Sequence, residues 1–156
     1  IMALQEIIFS SDPNCEEWLR LNNRKTFQEI LESDDHSAVG HYIDDDLVSV
    51  GILYDGKLTH ENIGSYFTTD EDELLSFINF KIVFASTLFR GSGLAREIVQ
   101  SLRNSAEEKG KNKILCTIHT NNAPSKSLFQ SLGYEKIAQV ETSYGPREIW
   151  NLNLQE

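Results

Sequence analysis

Six consecutive residues, Arg90-Gly91-Ser92-Gly93-Leu94-Ala95, have the make-up of a phosphate cradle. They lie between an apolar, β-branched run and a run with helical spacing. Glycine lets a backbone approach an anion closely, so that neighbouring amide N–H groups can point at it. The first turn of a following helix adds unpaired donors and the positive end of its dipole. The implied chemistry is the binding of a phosphate-bearing cofactor. Taken alone, the six residues are as simply explained by a glycine-eased turn from strand to helix. Two better-defined phosphate loops do not fit. A P-loop closes its glycines with Lys-Ser/Thr, which is missing here. The dinucleotide fingerprint, counted from Gly91, puts Arg96 where a Gly or Ala must pack between helix and strand.

Other chemistry-bearing residues are less ordered. Asp44-Asp45-Asp46 cannot turn all its side chains to one ion and reads as a solvated turn. Cys15 and Cys116 lack metal-ligand spacing and are too few for a disulfide framework, so no metal site is expected. The chain of 156 residues, 40% hydrophobic, is long enough for one domain with a real core. No apolar run is long enough to span a bilayer. The start, Ile1 to Glu6, has no basic segment of the secretory kind, and a cytoplasmic location is expected. The net charge of −10 opposes nucleic acid as a partner and suits a cationic small molecule or basic peptide.

The elements that must hold the loop follow from periodicity. Leu4 to Phe9 reads as a first strand. Asp12-Pro13 then offers an N-cap with proline at the first helical position. Trp18, Leu19, Phe27, Ile30 and Leu31 suggest one or two amphipathic helices to about Ser33. Ala38 to Ile43 and Leu47 to Tyr54 form a hairpin around the acidic turn. Gly56 to Glu73 is a polar loop with room for one short element. From Leu74, apolar residues alternate at Ile78, Phe80, Ile82 and Phe84, as a long strand running into Thr87 requires. Leu94, Ile98, Val99, Leu102 and Ala106 recur at helical spacing up to Gly110. Lys113 to Thr120 is a strand, Asn122 to Leu132 a short helix, and Tyr134–Glu141 with Arg147–Leu154 a closing hairpin. The order gives a mixed α/β architecture without regular doubly wound alternation.

A second motif, Asn122-Ala123-Pro124-Ser125-Lys126-Ser127-Leu128-Phe129-Gln130-Ser131-Leu132-Gly133-Tyr134, follows the glycine loop. Together the two resemble the GNAT superfamily of acyl-CoA-dependent N-acyltransferases. That family's loop is Gln/Arg-x-x-Gly-x-Gly/Ala, which Arg90, Gly93 and Ala95 match in frame. Its later pattern is Asn, a small residue, an apolar–aromatic pair and Gly-aromatic, matched by Asn122, Ser125, Leu128, Phe129, Gly133 and Tyr134. Either motif alone is weak; both in this order are specific. The resemblance implies one N-acetyltransferase-like domain over residues 1–156. Its sheet would be mixed and mostly antiparallel, splayed between the fourth and fifth strands, with helices on both faces. It further implies acetyl-CoA as co-substrate, its pyrophosphate on Arg90, Gly91, Ser92, Gly93, Leu94 and Ala95. The pantetheine arm would run along the backbone near Ala85 and Thr87, beside Asn122, Ser125 and Phe129. Asn122 serves equally as a helix N-cap.

The chain departs from the family where acid–base chemistry is done. The usual general acid, a tyrosine, is replaced by Phe129, which has no proton to give and reads as core. The usual glutamate base falls at Thr117. His119, on the same strand face by alternation, is the remaining candidate: a histidine titrates near pH ~6.5 and can accept a proton from an amine. Ser86, Ser127, Tyr134 and Tyr144 are other proton carriers in the neighbourhood. Thioester aminolysis needs only modest help, because a thiolate leaves readily. Two readings therefore stand. One is an N-acetyltransferase acting on a small amine or basic peptide, with a homodimer compatible. The other is a catalytically silent acyl-CoA-binding module.

Overall fold

The computed structural model describes residues 1–11, 18–89 and 91–154. Arg90, Cys15 and the expected Asp12-Pro13 cap lie outside them. Six strands form one sheet: β1 (Ser37–Ile43), β2 (Asp46–Tyr54), β3 (Phe77–Ala85), β4 (Lys113–His119), β5 (Glu135–Thr142) and β6 (Gly145–Asn153). Their spatial order is β1-β2-β3-β4-β6-β5. Only β3 and β4 run parallel; the other neighbours are antiparallel. The helices are α1 (Met2–Ser11), α2 (Arg24–Glu32), α3 (Glu71–Leu75), α4 (Leu94–Glu108) and α5 (Ala123–Ser131), with 3-10 turns at Ile63–Tyr66 and Thr87–Phe89.

The expected strand at Leu4–Phe9 is instead part of α1. Leu4 and Ile8, one helical turn apart, are both buried, and Gln5 beside Leu4 is buried with them. Its amide donates to the Asn22 carbonyl at 2.7 Å and accepts the Asn22 N–H at 3.0 Å, which ties α1 to the segment ahead of α2. The apolar residues of this run thus form one helical stripe rather than a strand face, with Ile7 left 53% exposed. The sheet therefore has six strands rather than seven.

The rest follows the periodicity. Asn23 caps α2, accepting the Thr26 N–H at 2.8 Å. Phe27 and Ile30 then pack with Leu4, Ile8, Val50, Ile52, Ile82 and Phe84 on one face of the sheet. On the other face α4 buries Ile98, Val99, Leu102 and Ala106 against β2, β3 and β4. The approach is close: a Cβ on Gly51 would stand 2.3 Å from Ile98 Cγ2. A side chain there would push α4 and its leading loop off the sheet.

Beyond Asn79 and Leu115 the parallel strands β3 and β4 stop pairing, after only three residue pairs. The expected splay is present, and it opens at the end of β3 that leads into the glycine loop. A bulge lies beside it. Ile52 pairs with Ile82 but Leu53 pairs with Phe80, so Lys81 is an extra residue. Facing flips across the bulge. Phe80 packs with the α4 cluster, whereas Ile82 and Phe84 pack with the α1–α2 cluster. The four alternating apolar residues of β3 thus serve both cores instead of one face.

Candidate active site

The splay encloses a cavity of about 430 Å³. Its floor is β3 from Asn79 to Phe84 and β4 from Cys116 to Ile118. Two walls rise from it, one on each face of the sheet.

The first wall is α5. Asn122 is its N-cap and accepts the Ser125 N–H at 3.3 Å; Pro124 stands in the first turn. Asn122, Ser125 and Phe129 then fall on the face that lines the cavity. The helix is pinned from behind. The Lys126 ammonium donates to the buried Glu148 carboxylate at 3.0 Å and to the Thr120 carbonyl at 3.0 Å. Phe129 belongs to the core as well as the cavity, edge-on to Tyr134 with ring centres 5.0 Å apart and to Phe80 at 5.4 Å. The Tyr134 hydroxyl is buried without a hydrogen-bond partner among the described residues, and burial pushes its pKa well above the usual phenol range. Burial likewise raises the Cys116 thiol. Neither group can give up its proton readily. The hydroxyl of Ser86 accepts from the Leu88 N–H, and Ser127 is exposed.

The glycine loop sits where β3 hands over to α4. Gly91 and Gly93 have φ of +79° and +85°, in the left-handed region, and a Cβ at either would meet nothing within 4 Å. Their conformation, not crowding, demands glycine. Gly93 is the N-cap of α4 and supplies no side-chain hydrogen bond, so the first-turn N–H groups of α4 have no side-chain cap. The Ser92 hydroxyl turns back to donate to the Phe89 carbonyl. Leu94 and Ala95 open the helix. Ala85 ends β3 paired with Ser49, and Thr87 begins the 3-10 turn.

His119 ends β4, only 2% exposed, and is not among the residues lining the cavity. Its Nδ1 accepts the Asn121 N–H at 3.1 Å. In the neutral ring Nε2 then carries the proton, and it faces the β5–β6 turn, 3.9 Å from where a Cβ on Gly145 would stand. As placed, the neutral ring presents no acceptor nitrogen to the cleft. Thr117 lines the cavity and is exposed.

The second wall lies outside both motifs. Trp18, Arg20, Glu61 and Tyr144 close the cavity on the α1–α2 face, with Lys81 rising from the bulge. The Arg20 guanidinium lies 4.6 Å from the centre of the Tyr144 ring. Glu61 Oε2 stands 4.0 Å from Arg20 and 3.9 Å from Lys81. The Lys81 side chain is 10% exposed, its ammonium 5.0 Å from the centre of the Tyr54 ring. The one signal in the sequence is a lysine inside an otherwise apolar alternation, where it reads as outward-facing. Among the described residues no group of three or more His, Cys, Asp or Glu is arranged to hold a metal. Nor is any described helix long and apolar enough to cross a membrane.

Residues 76–143 match the model of the FR47-like protein family, a span that takes in β3, the glycine loop, α4, β4 and α5. No curated protein matches the chain significantly. Solved structures share the whole fold at low identity. A GCN5-related N-acetyltransferase from Kribbella flavida is 15% identical over 99% of this chain and 90% of its own, with a TM-score of 0.73. The yncA protein of Salmonella typhimurium, solved with its cofactor acetyl-CoA, is 19% identical over 99% and 88%, also at 0.73. A ribosomal-protein-alanine N-acetyltransferase from Brucella melitensis is 18% identical over 98% and 93%, at 0.71. A family match over residues 76–143 that spans both motifs, on a six-stranded sheet splayed beside a glycine loop, gives this chain the fold of the GCN5-related N-acetyltransferases.

Proposed function

We propose that this protein is an acetyl-CoA-dependent N-acetyltransferase that transfers the acetyl group to a primary amine by direct attack in a ternary complex. The observation that carries the reading is the parting of β3 and β4 directly before a left-handed glycine loop at an uncapped helix start. The gap offers an arm-length slot, and the loop a place for its phosphates. Gly91 to Ala95, with Arg90, would hold the pyrophosphate on backbone N–H groups. The pantetheine arm would follow β3 toward Ala85 and Thr87, with Asn122, Ser125 and Phe129 along its other side. The amine enters from the α1–α2 face and attacks the thioester carbonyl. A β3 amide stabilises the oxyanion, and the thiolate leaves and takes up a proton. Phe129 cannot supply that proton. Positioning and an amine that arrives unprotonated carry the reaction.

The test is release of free thiol from acetyl-CoA with a panel of amines, alongside calorimetry of acetyl-CoA binding. Thiol release that depends on the amine supports the enzyme. Tight binding without turnover on any amine would instead favour an acyl-CoA-binding module, the reading to which Phe129 and Thr117 lend weight. Absence of CoA binding would overturn both.

A further inference from the structure

We infer that the acceptor amine also carries a carboxylate, which Arg20 and Lys81 receive at the α1–α2 end of the cleft. The inference rests on the acyltransferase reading and adds the class of acceptor to it. It stands on the local charge. The chain as a whole carries −10, yet among the described residues lining the cavity Glu61 is the only carboxylate, beside Arg20 and Lys81. Glu61 is shared, at 4.0 Å from Arg20 and 3.9 Å from Lys81, both too long for a hydrogen bond. Among the described residues, one distant carboxylate therefore serves two cations.

The surroundings favour an incoming anion. Burial holds Lys81 below its usual range by more than Glu61 restores, and Arg20 lowers it further. An ammonium in that position is under-neutralised, and a bound carboxylate would stabilise it. The Trp18 indole N–H, in the same wall, is a buried donor without a hydrogen-bond partner among the described residues. It calls for an acceptor atom, which a carboxylate oxygen supplies and an ammonium does not. The CoA phosphates have a separate place. The glycine loop leads into α4 on the opposite face of the sheet, whereas Lys81 lies over Tyr54, which packs with the α1–α2 cluster. A carboxylate on the α1–α2 side leaves the amino group of a small molecule free to reach the thioester between β3 and β4.

The experiment uses matched pairs: phenylalanine with phenethylamine, leucine with isoamylamine, lysine with cadaverine. Each pair differs only by the carboxylate. The ratio of kcat/KM, acid over decarboxylated amine, is expected to be about tenfold or more, as one charge-assisted hydrogen bond supplies. It should collapse toward unity in Arg20→Gln and Lys81→Met and persist in Lys57→Gln, whose lysine pairs with Asp35 elsewhere on the surface. Calorimetry of each pair on the CoA-loaded protein separates this inference from the reading it rests on. Tighter binding of the acids without any acetyl transfer keeps the carboxylate site and removes the enzyme. Efficient transfer to both members of each pair, or preference for the decarboxylated one, keeps the enzyme and removes the site. Variants that weaken CoA binding while the ratio holds would assign the cations to the cofactor and overturn the inference, as would acids that neither bind nor react.

Discussion

The two walls of the cleft are built on different terms. The α5 wall is also structure: Phe129 is 5% exposed and joins a ring cluster with Phe80 and Tyr134, and Lys126 anchors the helix to buried Glu148. The opposite wall rests in part on exposed side chains. Arg20 leaves 44% of its side chain exposed and rests on Tyr144, itself 49% exposed. On the proposed function, a wall that serves the cofactor can double as core, because neither needs to change, and a wall that meets the acceptor can be altered without loss of the fold.

The largest expected effect breaks that contrast at its stronger side. Phe129→Ala should lower unfolding free energy by roughly 3–5 kcal/mol, as for other large buried aromatics. Arg20→Ala, on the other wall, should shift it by about 0.5 kcal/mol or less. Urea titrations of the two variants compare the walls directly, and equal losses would mean that Arg20 is part of the core. Phe129→Tyr sharpens the point. It keeps the ring and returns a phenol to the position where the family places its acid, so turnover should rise while CoA affinity holds. A folded Tyr variant that no longer binds CoA would show that Phe129 does not face the cofactor.

Gly93→Val comes next. A β-branched residue at φ +85° is strained even in open space, so the loop must turn its amides away. Losing two charge-assisted hydrogen bonds of about 1.5 kcal/mol each would weaken acetyl-CoA binding on the order of 100-fold. The fold should persist, since α4 is held by Ile98, Val99, Leu102 and Ala106 rather than by its cap. Unchanged binding by calorimetry would remove the loop from the cofactor site.

A smaller effect belongs to Tyr134, whose buried hydroxyl bonds to none of the described residues. Tyr134→Phe removes an unsatisfied polar group without opening a cavity. It should stabilise the protein by roughly 1 kcal/mol, or about 2–4 °C in melting temperature. Destabilisation would show that the hydroxyl has a partner, such as an enclosed water.

The same contrast explains what could be read from the chain. The left-handed glycines, the Asn122 cap and the Asp44 turn are local devices: a few adjacent residues determine the backbone, and their chemistry can be recognised in isolation. The splay followed from the resemblance those motifs carry. Leu4 to Phe9 is short and apolar enough to suit strand or helix, and contact with Asn22 and α2 decided it. Lys81 was hidden for a different reason. One extra residue reverses the facing of everything after it, so an apolar alternation that implies one face is divided between two. The net charge describes the chain and not the cleft, because it sums acidic turns elsewhere with the cations that line the cavity.

His119 should show the smallest effect. Alternation puts it on the face of Thr117, where relatives keep a base, but its geometry gives it other work. Nδ1 accepts the Asn121 N–H at 3.1 Å, next to the Asn122 cap that starts α5. Taking a proton on Nδ1 would break that bond, and Nε2 already carries one in the neutral ring. On this geometry the expected source of the deprotonated amine is solution. The acid limb of kcat/KM should follow the acceptor's own pKa, moving when an acceptor of different basicity is used. His119→Gln, whose amide oxygen can accept the same N–H, should keep that limb and alter kcat/KM by no more than about 3-fold, well below the ~10²-fold floor for general-base catalysis. Two acceptors, each assayed across pH with both proteins, decide it. A limb that stays fixed between acceptors in the parent protein and vanishes in the variant would return the base to His119.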